Sequence, residues 1–338
     1  MLKKSLRKEE SKQCSGFVNF KLIPILKEKH YYTKDIPLDG DAPKQYIKAY
    51  FYYKNCPKKR ESKKWHGFFA KYGGKSYPNE SVTEYMINKI GEYLGLNMNR
   101  TRLVFANGQI RFLSQDFRKK QDRLIHGIEI IAEYLEDDNQ TFVKEINRDR
   151  RERREWFTFE LVETAIKHVC QENDKDILYS LIRLLTFDAI VGNNDRHFYN
   201  WGVIGNMVNV YEQKPVFSPI YDSARALYWN KTDKAVCVLL EKYKKGDIAP
   251  IEAYINNRSK PRISFEQNTK ANHFELISFL YHYNHRYKAI ILELISEEKE
   301  KSVLQRLKKE MFPFFIRERA KLIEIILTKR FQKLREII

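Results

Sequence analysis

The sequence predicts an α+β protein of two lobes, a small strand-rich lobe followed by a larger, mostly helical one. Three observations predict it. From about Phe17 to Phe117, short runs rich in β-branched and aromatic residues alternate with turn signals. One helical pattern, Val82 to Leu94, interrupts these runs. After Asp116 the apolar residues recur at helical spacing over much longer stretches. On this reading residues 1–117 form the first lobe and residues 118–338 the second.

Composition supports a folded chain. Of 338 residues, 43% are hydrophobic and 14% aromatic, enough apolar surface to offset the entropy of ordering and to exclude a purely disordered protein. Lys and Arg outnumber Asp and Glu by 62 to 44, giving a net charge of +18. Such a field draws phosphate-bearing partners of any kind, so ATP, RNA, DNA and anionic lipid all stay open. Cys14, Cys56, Cys170 and Cys237 form no CxxC pair, which argues against a zinc site or a disulfide framework and fits a reducing, cytoplasmic compartment. The apolar stretch after the charged start Met1 to Lys12 is broken by Asn19, Lys21 and Pro24, so neither a signal peptide nor a transmembrane helix is expected.

The first lobe holds strand patterns at Tyr46 to Tyr53, Trp65 to Tyr72, Thr101 to Phe105 and Ile110 to Leu113. Its helix has Ser81 as N-cap and closes at Gly95. In the second lobe, helices are predicted at Ile125 to Leu135, Trp156 to Val169, Ile177 to Ile190, Phe274 to Leu294 and Ser302 to Ile338. The basic run Arg148 to Arg154 reads as a solvated helix start, with docking of an acidic or nucleic-acid-bound substrate as the alternative. Two short strands, Ile204 to Tyr211 and Val216 to Ile220, flank a turn at Gln213-Lys214-Pro215.

The apolar helix Ile177 to Ile190 delivers the most polar loop of the chain, Gly192-Asn193-Asn194-Asp195-Arg196-His197 through Asn200. Phosphoryl transfer needs a carboxylate to accept the attacking hydroxyl's proton and an amide a few residues on to help hold Mg²⁺. Asp195 and Asn200 have that D-x-x-x-x-N spacing. A second acid must anchor the metal where charge develops, and Asp222, after the strand ending Ser218-Pro219-Ile220-Tyr221, is placed to do so. The first lobe should supply a cation for the phosphates, held by a helix carboxylate. Lys71, at the end of a strand, and Glu84, in the first turn of the helix, fit, although Glu84 also reads as an acid favoured by the helix dipole. His197 reads as a brace for the loop, and Arg225 as the partner of a neighbouring carboxylate, a substrate acid or a phosphorylated residue.

Taken in order, these segments resemble the C-terminal kinase domain of the HipA-like family of bacterial toxin kinases. Gly40-Asp41-Ala42-Pro43-Lys44 is similar to that family's short glycine loop, and Lys71 to its phosphate-binding lysine. Thr83-Glu84-Tyr85 through Leu94-Gly95-Leu96 is similar to its helix, and Phe112-Leu113-Ser114-Gln115-Asp116-Phe117 to its adenine hinge. Asp195 through Asn200, and Pro219-Ile220-Tyr221-Asp222, match its catalytic and metal-binding motifs, so the likeness spans roughly Gly40 to Leu227.

The resemblance implies a bilobal protein-kinase-like fold, ATP with Mg²⁺ and transfer to Ser or Thr of a protein. It implies Asp195 as base, Asn200 and Asp222 as metal ligands, and Gly40, Lys44, Lys71, Glu84, Gln115 and Asp116 around the nucleotide. It also implies a toxin or effector role, with an antitoxin or regulatory partner chain. The family's toxins carry a further N-terminal subdomain that this sequence is too short to include, and Ile36-Pro37-Leu38-Asp39 offers no hydroxyl where some relatives are autophosphorylated. Two other functions stay open on the residues alone: a kinase of small molecules on the same fold, and a basic nucleic-acid-binding protein with a degenerate nucleotide site.

Overall fold

A computed structural model describes residues 5–38, 43–52, 58–206 and 214–338. In the first lobe, β1 (Tyr31–Lys34), β2 (Lys44–Ala49), β3 (His66–Lys71), α1 (Asn79–Tyr93), β4 (Thr101–Ala106) and β5 (Gln109–Gln115) follow in chain order. The five strands make one antiparallel sheet in the order β1-β2-β3-β5-β4. The remainder is β6 (Asp122–His126), α2 (Gly127–Tyr134), α3 (Thr141–Arg148), α4 (Arg150–Trp156), α5 (Phe159–Cys170), α6 (Asp174–Val191), β7 (Gly202–Asn206), β8 (Val216–Phe217), α7 (Asp233–Lys244), α8 (Ala249–Ala253), α9 (His273–Tyr283), α10 (His285–Ile295), α11 (Glu297–Glu310) and α12 (Arg317–Glu336). Strands β6, β7 and β8 form a small antiparallel sheet of their own. The result is the expected bilobal, kinase-like α+β fold. Among the described residues no helix is long and apolar enough to cross a membrane.

Strand alternation gives the first sheet two apolar faces. Phe68, Ala70, Ile47 and Leu113 pack on one face with Leu6 and Leu26 of the N-terminal segment. The other face meets α1, whose Val82, Met86, Ile87 and Ile90 join Leu103 and Ile110 in a core that continues through α5, α6, α9, α10 and α12. This shared core holds the two lobes in register, and the site lies along it.

Several boundaries differ from the sequence expectation, each for a local reason. The helix α1 begins at Asn79, whose backbone N–H donates to Ser15 Oγ at 3.0 Å. Ser81 therefore lies inside the helix, and its hydroxyl accepts from Gly73 N instead of capping. Ile125 belongs to β6 and pairs with Val203, so α2 starts two residues later, at Gly127. Trp156 ends α4, and Thr158 caps α5 by accepting from Leu161 N at 3.3 Å. The periodicity from Phe274 to Leu294 is two helices, because Asn284 is extended and its side chain caps α10 through Arg286 N at 2.8 Å. A turn at Phe312–Phe314 containing Pro313 likewise separates α11 from α12.

The N-terminal segment ties the lobes together at one half-buried carboxylate. Asp233, at the start of α7, accepts from Phe17 N at 2.7 Å, from Asn79 Nδ2 at 3.3 Å and from Arg319 Nε at 2.7 Å. Gly16 sits so close, with φ of 129°, that a Cβ there would lie 2.0 Å from the Asp233 carboxylate. Arg319 is 1% exposed, so losing its counter-ion strands a buried charge. Asp233→Ala should cost about 3–5 kcal/mol of unfolding free energy in urea titrations, and adding Arg319→Leu should restore a large part of it.

Candidate active site at the lobe junction

On β3, the positions facing away from Phe68 and Ala70 look towards α1, and Lys71 occupies the last of them. Its Nζ donates to Glu84 Oε1 at 2.9 Å and to Asp222 Oδ1 at 2.6 Å, and lies 5.8 Å from the centre of the Phe112 ring. One ammonium thus joins a strand and a helix of the first lobe to a loop of the second. Glu84 lies in the second turn of α1, not the first, because the helix starts earlier than its sequence suggests. Burial alone would lower the Lys71 pKa, but Asp222 and then Glu84 raise it above its ordinary value. Burial would push Asp222 up, and the Lys71 ammonium overcomes it and holds the carboxyl at about 2. For Glu84 burial prevails over Lys71, and its pKa is raised.

The polar loop is built on α6. Gly192 closes that helix at φ of 74°, with its N–H returning to Asp188 O at 2.8 Å. Asp188, 1% exposed within an otherwise apolar turn, accepts from Asn193 Nδ2 at 2.9 Å and from Arg196 at 2.8 Å and 3.1 Å. The same guanidinium donates to Asn200 O at 2.9 Å, Tyr221 O at 2.7 Å and Ser223 Oγ at 2.6 Å. It therefore fixes the main chain at Asn200 and beside Asp222 together. From behind, buried His273 donates to Asn193 O at 2.9 Å, and Arg330 of α12 donates to Ala189 O at 2.7 Å. Burial holds the His273 pKa well below its ordinary value, so the ring is neutral.

Asp195 stands between two cations. Its Oδ1 pairs with Arg262 Nη2 at 2.7 Å and its Oδ2 with Arg225 Nε at 3.0 Å. Asn200 Nδ2 donates to the Asp195 carbonyl at 2.9 Å, which leaves the amide oxygen as the donor atom on its other side. His197 lies within the loop's own turns, its N–H on Asp195 O and its carbonyl on Asn200 N, both at 2.8 Å. Asp222 has φ of 53° and is followed by Leu227 and Tyr228 at 54° and 56°, a concentration of left-handed non-glycine backbone beside the site.

The structure therefore brings Lys71, Glu84, Asp195, Asn200 and Asp222 to one cleft. Other expected residues stand apart from it. Gln115 ends β5 with its N–H on Arg100 O and its carbonyl taken by Asn99 Nδ2, both at 2.9 Å. The Asp116 carboxylate is held by Arg118 at 2.9 Å and by the Tyr46 hydroxyl at 3.2 Å. The Gln115 side chain meets His66 Nδ1 at 3.4 Å. Lys44 opens β2 directly opposite Lys71 in the register. Gly40 lies outside the described residues.

The oxygens of Asn200 and Asp222 are hard donors suited to Mg²⁺. Among the described residues no group of three or more His, Cys, Asp or Glu is placed to hold a metal by itself. Two protein oxygens completed by phosphate and water are the usual Mg²⁺ arrangement, so the residues present fit the ion. Sequence reasoning missed Arg262 altogether, since nothing local marks it. It also passed over Arg196 and Asp188, although a lone Asp in the apolar run Leu184 to Val191 is a readable signal.

The depressed Asp222 pKa carries a sign. Its pairing stabilises the fold above its ordinary pKa of 3.8 and loses that contribution as pH falls towards about 2. Acid titration of the unfolding free energy should show a smaller loss over this range in Asp222→Asn than in the natural chain.

The family model described as HipA-like C-terminal domain matches residues 37–311. No curated protein matches the chain at a significant level. Among solved structures, the Helicobacter pylori proinflammatory kinase CtkA is similar with a TM-score of 0.69 at 17% identity, over 93% of this chain and 96% of that one. A chain of the Shewanella oneidensis MR-1 toxin–antitoxin complex of HipA, HipB and operator DNA is similar with a TM-score of 0.50 at 10% identity, over 80% of this chain and 58% of that one. With the family match spanning most of its length, this protein belongs to the HipA-like C-terminal domain family.

Proposed function

We propose that the protein is an ATP-dependent Ser/Thr protein kinase, with residues 1–117 as the nucleotide-binding lobe and 118–338 as the lobe that carries the acceptor. The observation that carries this reading is the ion bridge Glu84–Lys71–Asp222 across the cleft, beside the loop holding Asp195 and Asn200. A lysine shared by a helix carboxylate and a metal-binding aspartate is the arrangement that kinase chemistry requires for aligning phosphates. Membership of the HipA-like family and the likeness to CtkA, which is named a kinase, support it.

In this reading Lys71, kept charged by its two carboxylates and held upright by Glu84, steers the nucleotide phosphates. Asn200 and Asp222 hold Mg²⁺, which when bound neutralises charge developing on the phosphoryl oxygens. Asp195 orients the acceptor hydroxyl and takes its proton as the oxygen bonds to the γ-phosphorus of ATP and the bond to the departing ADP breaks. Arg196 touches none of the reacting atoms and acts by fixing Asn200 and the Asp222 segment. The family likeness supports an acceptor in the protein class; the same chemistry would serve a small alcohol.

Purified chain, Mg²⁺ and γ-labelled ATP mixed with cell lysate should place label on protein Ser or Thr, and Asp195→Ala should reduce transfer by about 10²–10⁴-fold. Asp222→Ala and Asn200→Ala should raise the Mg²⁺ concentration needed for half the maximal rate. Label found only on small molecules would move the acceptor out of the protein class. Undiminished labelling by Asp195→Ala would remove that residue from the chemistry.

A further inference from the structure

The acceptor base is capped on both sides. A carboxylate that receives a hydroxyl proton needs one oxygen facing that hydroxyl. In Asp195, Oδ1 is taken by Arg262 and Oδ2 by Arg225. The two arginines come from unrelated segments. Arg225 follows Asp222 closely in the chain, and its guanidinium lies 5.8 Å from the Trp229 ring. Arg262 precedes Ser264, whose main chain bridges to Thr158 and receives Phe159 N at 2.9 Å, so it is carried in on the edge of α5. Each oxygen keeps a second lone pair, so an acceptor hydroxyl must crowd in beside a guanidinium or displace it.

For Arg262 that shift is costly without compensation, because the residue is 8% exposed and a buried charge parted from its counter-ion is strongly disfavoured. Its surroundings add positive charge. Arg154, in the basic run at α4, lies near enough that burial first, and the Arg262 charge next, lower its pKa. Arg154 Nη2 donates to Ala271 O, while its buried Nε has no hydrogen-bond partner among the described residues. Glu275, the acid nearest Arg154 in effect, already caps α9 by accepting from Asn272 N at 2.6 Å. An incoming anion would restore the balance, and guanidinium forks match carboxylates and phosphates in shape as well as charge.

We infer that this chain selects acceptor hydroxyls flanked, on the same polypeptide segment, by a carboxylate or phosphate, which takes Arg262 and Arg225 from Asp195 and so frees the base. This rests on the kinase reading and adds to it a class of substrate, acidic or already phosphorylated protein segments. The exchange couples recognition to activation: a neutral or basic segment leaves the guanidiniums where they are.

The test uses the full chain with Mg²⁺, labelled ATP and four sets of serine peptides, flanked by Asp and Glu, by phosphoserine, by Asn and Gln, or by Lys. The natural chain should use the two anionic sets with kcat/KM about tenfold or more above the neutral set, and the Lys set least. The anionic arms separate carboxylate from phosphate as the preferred group. In Arg262→Gln the anionic-to-neutral ratio should fall towards one, and Arg262→Lys, which keeps the charge but not the fork, should retain part of it. Should Arg262→Gln not fold, Arg225→Gln and the ratio for the natural chain carry the same test. Equal use of all four sets by the natural chain, or an unchanged ratio in the variants, would overturn the inference while leaving phosphotransfer standing. Absence of transfer to any peptide or lysate acceptor would overturn the kinase reading and this inference together.

Discussion

The site depends on one buried guanidinium. Arg196 has five N–H groups, and all five find acceptors: two on the Asp188 carboxylate and one each on Asn200 O, Tyr221 O and Ser223 Oγ. A charge this deep is tolerable only when it is paired and fully hydrogen-bonded, and both conditions are met. The geometry follows from the donor's shape. A planar fork can hold three separate stretches of chain at fixed angles, which a lysine ammonium on a flexible stem could not. With helix α6, the Asn200 loop and the Asp222 segment meeting there, the polar groups of the cleft inherit their spacing from a residue that faces away from it.

Around that fixed point the two exposed ends of the chemistry are both balanced by cations of the chain itself. Lys71 pairs with both Asp222 and Glu84, and Arg225 and Arg262 both pair with Asp195. Under the proposed function, ligand binding is then an exchange of ions more than an addition of charge. Asp222 would pass from Lys71 to Mg²⁺ and leave Lys71 for phosphate, and an anionic acceptor would draw the arginines. Each exchange leaves the cleft close to electrically even, which limits the cost of desolvating it. The surplus of +18 is consistent with such a surface but does not locate it; the individual pairs do.

Much of this was legible in the sequence where the signal is local. The strand alternation at His66–Lys71, the apolar helix before Gly192 and the D-x-x-x-x-N spacing each depend on neighbours a few residues away. Element edges were harder, because tertiary partners decide them. Ser81 looks like a cap but is claimed by Gly73, and Asn79 starts the helix because Ser15 reaches it from the far side of the lobe. Helical periodicity also ran through Asn284 and Pro313, since the apolar face continues on both sides of each break. The pairing of Arg262 with Asp195 has no trace in either local sequence: it exists only because Ser264 is bridged to Thr158. At Gln115 and Asp116 the expected hinge pattern gave no sign of the side-chain partners His66, Arg118 and Tyr46, which come from other strands or from the turn that follows.

The N-terminal segment touches both lobes in quick succession. Cys14 bridges to Tyr77 and Ser15 holds Asn79 on one side, while Phe17 reaches Asp233 and Asn19 donates to Phe314 O on the other. Further on, Leu26 returns to Phe105 of the sheet. Together with the direct chain connection from β5 to β6, this gives the molecule one covalent tether and one hydrogen-bonded strap between its halves. A jaw hinged at a single place can gape freely, whereas one strapped at two places resists gaping and moves most easily by twist or shear. Opening of the cleft in this chain would then proceed by a sideways slip of the walls, with the Gly16 turn, pressed against Asp233, as the buckle that limits its travel.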